Sequence, residues 1–166
     1  MITFIKKDIT TALGTTIVHG CNAQGVMGSG VAKALRIKWP EIFPPYAELC
    51  NKYRNDLYVL LGTSTIYTDL LTSTNVINGI TQVFYGKDGK KYANKEAIRS
   101  ILIQSAMVAL EQTSESGSMG IVHMPKIGCG LGGLSWKHDV YPVLSEVDDN
   151  ITHSSERLVH FIVCDI

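Results

Sequence analysis

The segment at residues 16–39, TIVHGCNAQGVMGSGVAKALRIKW, decides the fold because it contains a complete strand–loop–helix unit. Its first four residues are a short β-branched run, which predicts a strand. A glycine-rich loop, GVMGSG, follows at residues 25–30, and residues 30–39 then repeat apolar side chains at helical spacing until Pro40 stops the helix. This order predicts one unit of a parallel sheet, with the glycine loop at the carboxyl end of its strand.

The rest of the chain repeats this alternation of strand and helix. Strands are predicted at residues 2–5, 58–67, 75–85, 120–125 and 157–164. Helices are predicted at residues 43–52, from an Asn94 N-cap to about residue 112, and from a Ser135 cap to about residue 147, with polar loops at 86–91 and 114–118. The pattern predicts a single α/β domain over residues 1–166, a three-layer α/β/α sandwich with a mixed, mainly parallel sheet.

Composition narrows the functional classes. Hydrophobic residues make up 45% of the chain and charged residues 18%, which supplies a core and argues against disorder. The 15 basic residues are balanced by 15 acidic ones, so no basic excess indicates nucleic-acid binding. The N-terminus lacks an apolar signal segment, and no apolar run approaches the roughly 20 residues of a membrane helix. We expect a cytoplasmic, monomeric protein with no membrane partner.

The cysteines do not form a metal-binding or redox pattern. The four cysteines are Cys21, Cys50, Cys129 and Cys164. None belongs to a CxxC pair, so a zinc knuckle or a thioredoxin-like motif is disfavoured, and reduced thiols are expected. His138, His153 and His160 show no metal-ligand clustering either. The sequence therefore predicts no metal and no cofactor.

A second glycine loop stands in the same topological position as the first. It is GCGLGG at residues 128–133, after the predicted strand that ends in MPK and before the helix that starts near Trp136. Glycine allows positive φ and a close approach of backbone to ligand, and successive N–H groups at a helix start bind anions. Two such loops at one sheet edge could clamp a diphosphate without a lysine or a metal.

Two familiar phosphate motifs fit the sequence poorly. A P-loop requires GxxxxGK followed by Ser or Thr, and no such run exists. The second loop matches GxGxxG, and Asp148 and Asp149 lie downstream, but that fingerprint belongs on an early strand with several βαβ units after it. Only one predicted strand follows here, which disfavours a nicotinamide-dependent oxidoreductase.

At this point the residues resemble the macrodomain family over nearly the whole chain. The resemblance is carried by KDIT at residues 7–10, by HGCN at 19–22 with GVMGSGVAKAL, and by MPK at 124–126 with IGCGLGGLSW. The similarity is greatest to the branch that holds yeast-type ADP-ribose 1''-phosphate phosphatases and terminal ADP-ribose–protein glycohydrolases. Antitoxin macrodomains that remove ADP-ribose from DNA belong nearby. The resemblance implies a site for ADP-ribose or a phosphorylated derivative.

The resemblance also implies a role for individual positions. Asp8 would accept a hydrogen bond from the adenine amino group, with Ile9 beside the ring and Ile166 packed near it. Asn22 would bond the distal ribose, since an amide both donates and accepts. The residues alone favour Asp8 as a surface charge or turn acid, and Asn22 can instead be a loop-former that stabilises its own turn. The two loops would supply the remaining contacts, from Gly28, Ser29, Gly30 and Val31 in the first and from Ile127, Gly128, Cys129, Gly130, Leu131 and Gly132 in the second.

The expected reaction is hydrolysis of ADP-ribose 1''-phosphate, slow and metal-independent. The resemblance implies that the glycohydrolase branch uses a lysine just after a strand and an acid in the second loop. At the lysine position this chain has Gln82, or Lys87 if the alignment contains a gap. At the acid position it has Gly132. Neither Gln82 nor Gly132 can perform that chemistry. Two groups of candidates remain, and these are His19 and Asn22 for catalysis and Lys126 and Lys33 for attracting the terminal phosphate.

Each of these functional hypotheses has an alternative. His19 titrates near neutrality as a free side chain, but it sits at the end of a predicted strand and is equally a core histidine. The second functional hypothesis is an ADP-ribosyl hydrolase that acts on modified protein or nucleic acid. A non-catalytic module for ADP-ribose or an NAD-derived nucleotide is the third.

Overall fold

The computed structural model describes residues 1–113, 118–154 and 157–165. The predicted loop at 114–118 lies outside them except for Ser118, and Ile166 lies outside them too. The strands are β1 (Ile2–Lys6), β2 (Thr16–Asn22), β3 (Ser64–Asp69), β4 (Thr74–Gln82), β5 (Gly120–Met124) and β6 (Val159–Asp165). The α-helices are α1 (Gly30–Lys38), α2 (Phe43–Lys52), α3 (Lys95–Gln112) and α4 (Tyr141–Ser154), and a π-helical turn, Trp136–Val140, precedes α4.

The described strands form one six-stranded sheet in the order β1-β6-β5-β2-β4-β3. Every neighbouring pair is parallel except β3 and β4. Two apolar cores cover the two faces because side chains alternate along each strand. On β2, Ile17 packs with Leu35 and Tyr46 of α1 and α2, whereas Val18 packs with residues of α3 and α4. The predicted three-layer, mainly parallel α/β fold is confirmed.

Strands β2 and β5 separate before they end. They pair only at Thr16↔Val122 and Ile17↔His123, although β2 continues to Asn22 beside β4 and β5 continues to Met124 beside β6. The helix that follows β2 packs on one face of the sheet, and the turn and helix that follow β5 pack on the other. A crevice at this point of an open α/β sheet is the usual place for a ligand.

One strand prediction is wrong in part. The segment 58–67 was expected to be continuous strand because it is rich in aromatic and β-branched residues. Instead Leu57–Leu60 is a 3₁₀ helix that buries Leu60 and exposes Tyr58, and the strand begins only at Ser64. The chain turns at Gly62, whose φ of 81° suits glycine and whose N–H donates to the Ile80 carbonyl at 2.9 Å.

Helix boundaries follow the predicted caps more closely. The Asn94 side chain accepts from the Ala97 N–H at 2.8 Å and begins α3 as predicted. Ser135 accepts from the His138 N–H at 3.3 Å, but the π-helical turn separates it from α4, which ends seven residues later than predicted. None of the helices in the described ranges has both the length and the apolar character required to span a membrane.

The contact between β4 and α3 leaves no room for a side chain at Gly79. A Cβ there would lie 2.4 Å from Ile101 Cγ2, and Ile101 is fully buried. We expect Gly79→Ala to lower the free energy of unfolding by about 1–3 kcal/mol, the usual cost of overpacking, in urea titrations. Gly28→Ala is the matched control, because its Cβ would meet only Val26 Cγ1 at 3.8 Å. Equal stability of the two variants would contradict this account of the packing.

Candidate functional site

A cleft of about 910 Å³ opens between β2 and β5 at the carboxyl edge of the sheet. Its floor is the end of β2 together with Thr81 and Gln82 of β4. Loop one, residues 23–29, and the start of α1 form one wall. Loop two, residues 125–135, forms the other, and the segment 85–90 lies along one rim. The structure thus brings together the two glycine loops that the sequence singled out.

The first wall presents the open end of a helix. Ser29 is the N-cap of α1, but its side chain makes no capping hydrogen bond. Within the described part of the chain, no protein acceptor takes the N–H groups of Gly30, Val31 and Ala32, all of which line the cleft. These groups and the positive end of the helix dipole favour an anion.

The second wall is a tight backbone turn. The Leu134 N–H donates to the Gly128 carbonyl at 2.9 Å, and the Gly133 N–H donates to the Gly130 carbonyl at 3.1 Å. The N–H groups of Gly130, Leu131 and Gly132 have no protein acceptor among the described residues, and these residues also line the cleft. Two sets of backbone donors therefore border one cleft, which is an arrangement that binds phosphate oxygens.

The charged residues of the cleft are all cationic. Lys87, Lys90 and Lys126 line it, and no carboxylate does so within the described ranges. Lys126 Nζ lies 2.7 Å from Asp165 Oδ2, which holds this lysine at the ends of β5 and β6. Lys33, expected to attract a terminal phosphate, lies on the exposed face of α1 and outside the cleft lining.

His19 lies in the floor as a core histidine. Its side chain is 1% exposed, and its Nε2 lies 2.7 Å from Asn78 Oδ1. The Asn78 amide donates to the Ile42 carbonyl at 2.8 Å and to Thr65, so Oδ1 must accept and His19 carries its proton on Nε2. Burial lowers the pKa of His19 to about 4. The imidazole is therefore neutral at pH 7 and already bonded, which does not suit the acid–base role that the sequence allowed.

Asn22 shapes loop one. Its Oδ1 accepts from the Gln24 N–H at 2.9 Å, and its Nδ2 donates to the Val26 carbonyl at 2.8 Å. Tyr46 completes this arrangement from α2. Its hydroxyl is buried, accepts from the Val26 N–H at 3.1 Å and donates to the Asn22 carbonyl at 2.8 Å. Sequence reasoning missed Tyr46, although an aromatic side chain with a polar tip in a buried helix is a signal for such an anchor.

Asp8 lies at the end of β1, on the same sheet edge. Its Oδ1 accepts from the Thr10 N–H at 2.9 Å and from the Thr10 hydroxyl at 2.8 Å. These bonds, the backbone one first, lower the pKa of Asp8, so the carboxylate is ionised at neutral pH. Oδ2 makes no hydrogen bond in the described part of the chain and faces outward as an acceptor. Asp8 therefore caps a turn with one oxygen and is exposed to solvent, beyond the residues that line the cleft.

Three predicted ligand contacts, Asp8, Ile9 and Cys129, are not among the residues that line the cleft. Ile9 is 1% exposed and packs in the core beside α1, so its side chain cannot lie against a ligand ring. Cys129 turns away from the cleft with its Sγ 3.5 Å from the Ile127 carbonyl, and burial raises its pKa to about 11. Ile166 lies outside the described residues.

The two positions at which the glycohydrolase branch would carry a lysine and an acid, Gln82 and Gly132, are both buried. Gln82 is 8% exposed, and its Nε2 donates to the Phe84 carbonyl at 2.9 Å. A Cβ on Gly132 would lie 2.5 Å from the Gly128 carbonyl oxygen and 2.8 Å from the Ala93 Cβ. No acid fits at residue 132 without a shift of loop two. Lys87 lines the rim instead of taking the place of Gln82.

One polar group in the floor was not anticipated. Thr81 is fully buried and lines the cleft, and its Oγ1 has no hydrogen-bond partner within the described residues. It lies beneath Gly20, where a Cβ would approach this oxygen to 2.8 Å. In residues 1–113, 118–154 and 157–165, no three His, Cys, Asp or Glu side chains gather as a metal site would require.

Comparison with known proteins places these features in a family. The ADP-ribose 1''-phosphate phosphatase of Scheffersomyces stipitis is 30% identical over 155 residues, covering 82% of this chain and 90% of that protein. The DNA ADP-ribosyl glycohydrolase of Mycobacterium bovis is 25% identical over 137 residues, and the match spans 36% of its length. The macrodomain of Mycobacterium tuberculosis DarG superposes with a TM-score of 0.75 at 24% identity, covering 100% of this chain and 99% of that one. The Macro domain family model matches residues 18–141, and the chain belongs to this family.

Proposed function

We propose that the cleft binds ADP-ribose by its diphosphate and that the protein hydrolyses the terminal phosphate of ADP-ribose 1''-phosphate. One observation carries the binding proposal, and it is the two sets of unpaired N–H groups, on α1 and loop two, that border one cleft without a carboxylate. The reaction is proposed from the yeast relative, which carries that name and matches over most of both chains.

With adenine at Asp8, as the family resemblance implies, the strand order gives the direction of the proposed ligand. Asp8 follows β1 at one end of the edge, loops one and two follow the central strands β2 and β5, and Gln82 ends β4. Four strand spacings of about 4.8 Å separate β1 from β4, roughly 19 Å in total. Adenine then lies by Asp8, the diphosphate lies between the loops, and the distal ribose lies by Asn22 and β4.

The hydrolysis needs little acid–base chemistry from the protein. A water oxygen bonds to phosphorus, the bond from phosphorus to the 1'' oxygen breaks, and one proton of the water ends on that sugar oxygen. Backbone N–H groups and lysines stabilise the charge on the phosphoryl oxygens. His19 is a neutral donor to Asn78, and the Asn22 amide does not titrate. The proposed catalysis therefore rests on positioning and electrostatics, which fits a slow enzyme.

The other ligand class is an ADP-ribosylated protein or nucleic acid. The relative named DNA ADP-ribosyl glycohydrolase supports removal of ADP-ribose from such a substrate. This chain lacks the lysine–acid pair for that reaction, because it has Gln82 and Gly132 at the two positions.

All four cysteines are free thiols in the structure, which suits the proposed cytoplasmic location. A monomeric state remains part of the proposal.

The activity is tested by phosphate release from ADP-ribose 1''-phosphate, alongside release of ADP-ribose from modified protein and modified DNA. Phosphate release that is saturable and lost on blocking the cleft supports the proposal. Release of ADP-ribose from either macromolecule without phosphate release would replace it with the hydrolase. Micromolar binding of ADP-ribose without any turnover would leave a binding module.

Gly130 offers a direct test of the clamp between the loops. A Cβ at Gly130 has no neighbour within 4 Å, so the fold tolerates a side chain that projects toward the ligand. We expect Gly130→Val to raise the Kd for ADP-ribose by about 100-fold or more and Gly130→Ala to have a smaller effect. Calorimetry measures both, and urea unfolding should show wild-type stability. Wild-type affinity in Gly130→Val would refute the clamp.

Asp8 tests the position of the adenine. Asp8→Asn keeps an oxygen for the Thr10 N–H but replaces the outward acceptor by an amino group. We expect the Kd for ADP-ribose to rise by about 10-fold, the range for loss of one hydrogen bond to a charged group. Thr10→Ala removes only the hydroxyl bond and serves as the control. An unchanged Kd in Asp8→Asn would show that adenine binds elsewhere.

His19 is expected to remain neutral through the working pH range. Its folded pKa of about 4 lies below the ordinary value of 6.5, so the unfolded state binds more protons between these values. Stability should therefore fall as pH drops from 6.5 towards 4. NMR titration of the imidazole, assigned with His19→Gln, should show a midpoint near pH 4. A midpoint near 6.5 would restore His19 as an acid–base candidate.

A further inference from the structure

We propose that the segment 86–91, GKDGKK, is a phosphomonoester subsite that selects ligands phosphorylated on the distal ribose. We call this segment the basic arm. The inference rests on the proposed function, because it assumes that ADP-ribose occupies the cleft. It adds a binding determinant that lies outside both glycine loops, in a part of the chain that sequence analysis treated as a polar loop.

The basic arm is fixed to loop two. The N–H groups of Tyr92 and Ala93 donate to the Gly132 carbonyl at 2.8 and 3.0 Å. Lys91 Nζ lies 3.0 Å from Asp139 Oδ2, which also accepts from the Ser135 N–H at 2.8 Å. The residues that directly follow the arm are therefore bonded to loop two, and Lys91 at the end of the arm is ion-paired to the π-helical turn after that loop.

The same contacts hold the Lys90 carbonyl against loop two. A Cβ on Gly133 would lie 2.2 Å from the Lys90 carbonyl oxygen, so only glycine allows this approach. Gly133 has φ of 73°, which glycine adopts without strain. The glycines of the second loop therefore have two roles. Gly130 and Gly132 present N–H groups to the cleft, and Gly133 leaves room for the Lys90 carbonyl of the basic arm.

The arm residues that line the cleft are two lysines and two glycines. Lys87 and Lys90 line the cleft, whereas Asp88 does not. The Asp88 carboxylate accepts from the Tyr92 hydroxyl at 2.8 Å and from the Lys90 N–H at 3.2 Å, and these bonds lower its pKa. Lys90 Nζ lies 3.5 Å from Asp88, which offsets part of its charge. Lys87 makes no ion pair within the described residues, so its full charge is available to a ligand.

Topology places the arm at the far end of the ligand from adenine. It follows β4, and three strands, β6, β5 and β2, lie between β4 and the strand β1 that precedes Asp8. Lys126, the other lysine of the cleft, lies at the ends of β5 and β6 and is paired with Asp165. Of the cleft lysines, those of the arm are therefore the ones next to the distal ribose.

A phosphomonoester is the ligand group that this charge fits. Its second pKa is about 6, so it carries nearly two negative charges at neutral pH, whereas a ribose hydroxyl carries none. Lysine acts as a compact point charge with three rotatable donors, which suits a tetrahedral phosphate. The arm then stabilises binding of ADP-ribose 1''-phosphate and contributes nothing specific to ADP-ribose.

The experiment compares two ligands across three variants of the full chain. The variants are Lys87→Gln, Lys90→Gln and, as an exposed lysine at the end of α2, Lys52→Gln. Calorimetry gives the Kd for ADP-ribose, and initial rates of phosphate release give KM and kcat for ADP-ribose 1''-phosphate. If the wild type binds that ester without turnover, calorimetry gives its Kd as well. The wild-type measurements test the proposed function, and only the variants test the arm.

We expect Lys87→Gln to raise KM or Kd for the phosphorylated ligand about 10-fold, with the Kd for ADP-ribose within about twofold of wild type. Lys90→Gln should have a smaller effect in the same direction, and Lys52→Gln should have none. Added salt should weaken the wild-type preference for the ester and not that of Lys87→Gln. An equal loss for both ligands would assign the arm to the diphosphate, and no loss for either would make it a solvated loop, so either result overturns the proposal.

Discussion

The site depends on the early separation of β2 and β5. Each strand is held by its outer neighbour to its carboxyl end, β2 by β4 and β5 by β6, but the two bond to each other over only two residue pairs. Beyond Ile17 and His123 the central strands diverge. The sheet opens there, while β2 keeps its hydrogen bonds to β4 and β5 keeps its hydrogen bonds to β6. Because the chain after β2 crosses to one face and the chain after β5 to the other, neither of these two segments refills the gap.

The opening creates polar groups that the protein does not satisfy by itself. The first turn of α1 lacks a side-chain cap, and loop two turns the N–H groups of Gly130, Leu131 and Gly132 away from other backbone acceptors. Val31, Ala32 and Leu131 are half-buried and Gly132 is buried, and donors in such places normally find a partner, which an anionic ligand would supply. The fixed elements around them, such as the Tyr46 bonds to loop one, keep both walls in shape.

Much of this arrangement could be predicted from the sequence, and the reasons differ by residue. The strand–glycine–helix order placed both loops at one edge because hydrophobic periodicity, and the glycines that interrupt it, are local signals in the sequence. The strand error at Tyr58 arose because a buried Leu60 in a 3₁₀ turn resembles strand composition. Side-chain directions were not predictable in this way. Long-range packing decides these directions: Ile9 and Cys129 turn to the core, and His19 lies in the cleft floor as a buried side chain bonded to Asn78. Thr81 and the basic arm reach the site through long-range contacts that no local pattern records, whereas Tyr46 carries only the general signal of an aromatic side chain with a polar tip.

The central claim is that the crevice between β2 and β5 binds ADP-ribose as a whole ligand. The most direct measurement is calorimetric titration of the wild-type protein with ADP-ribose, with AMP and NAD as comparators. The geometry predicts one site per chain, with much weaker binding of AMP, which lacks the diphosphate and distal ribose, and of NAD, whose nicotinamide blocks the distal end. Absence of binding, or equal affinity for AMP, would show that the two glycine loops do not form the proposed diphosphate clamp.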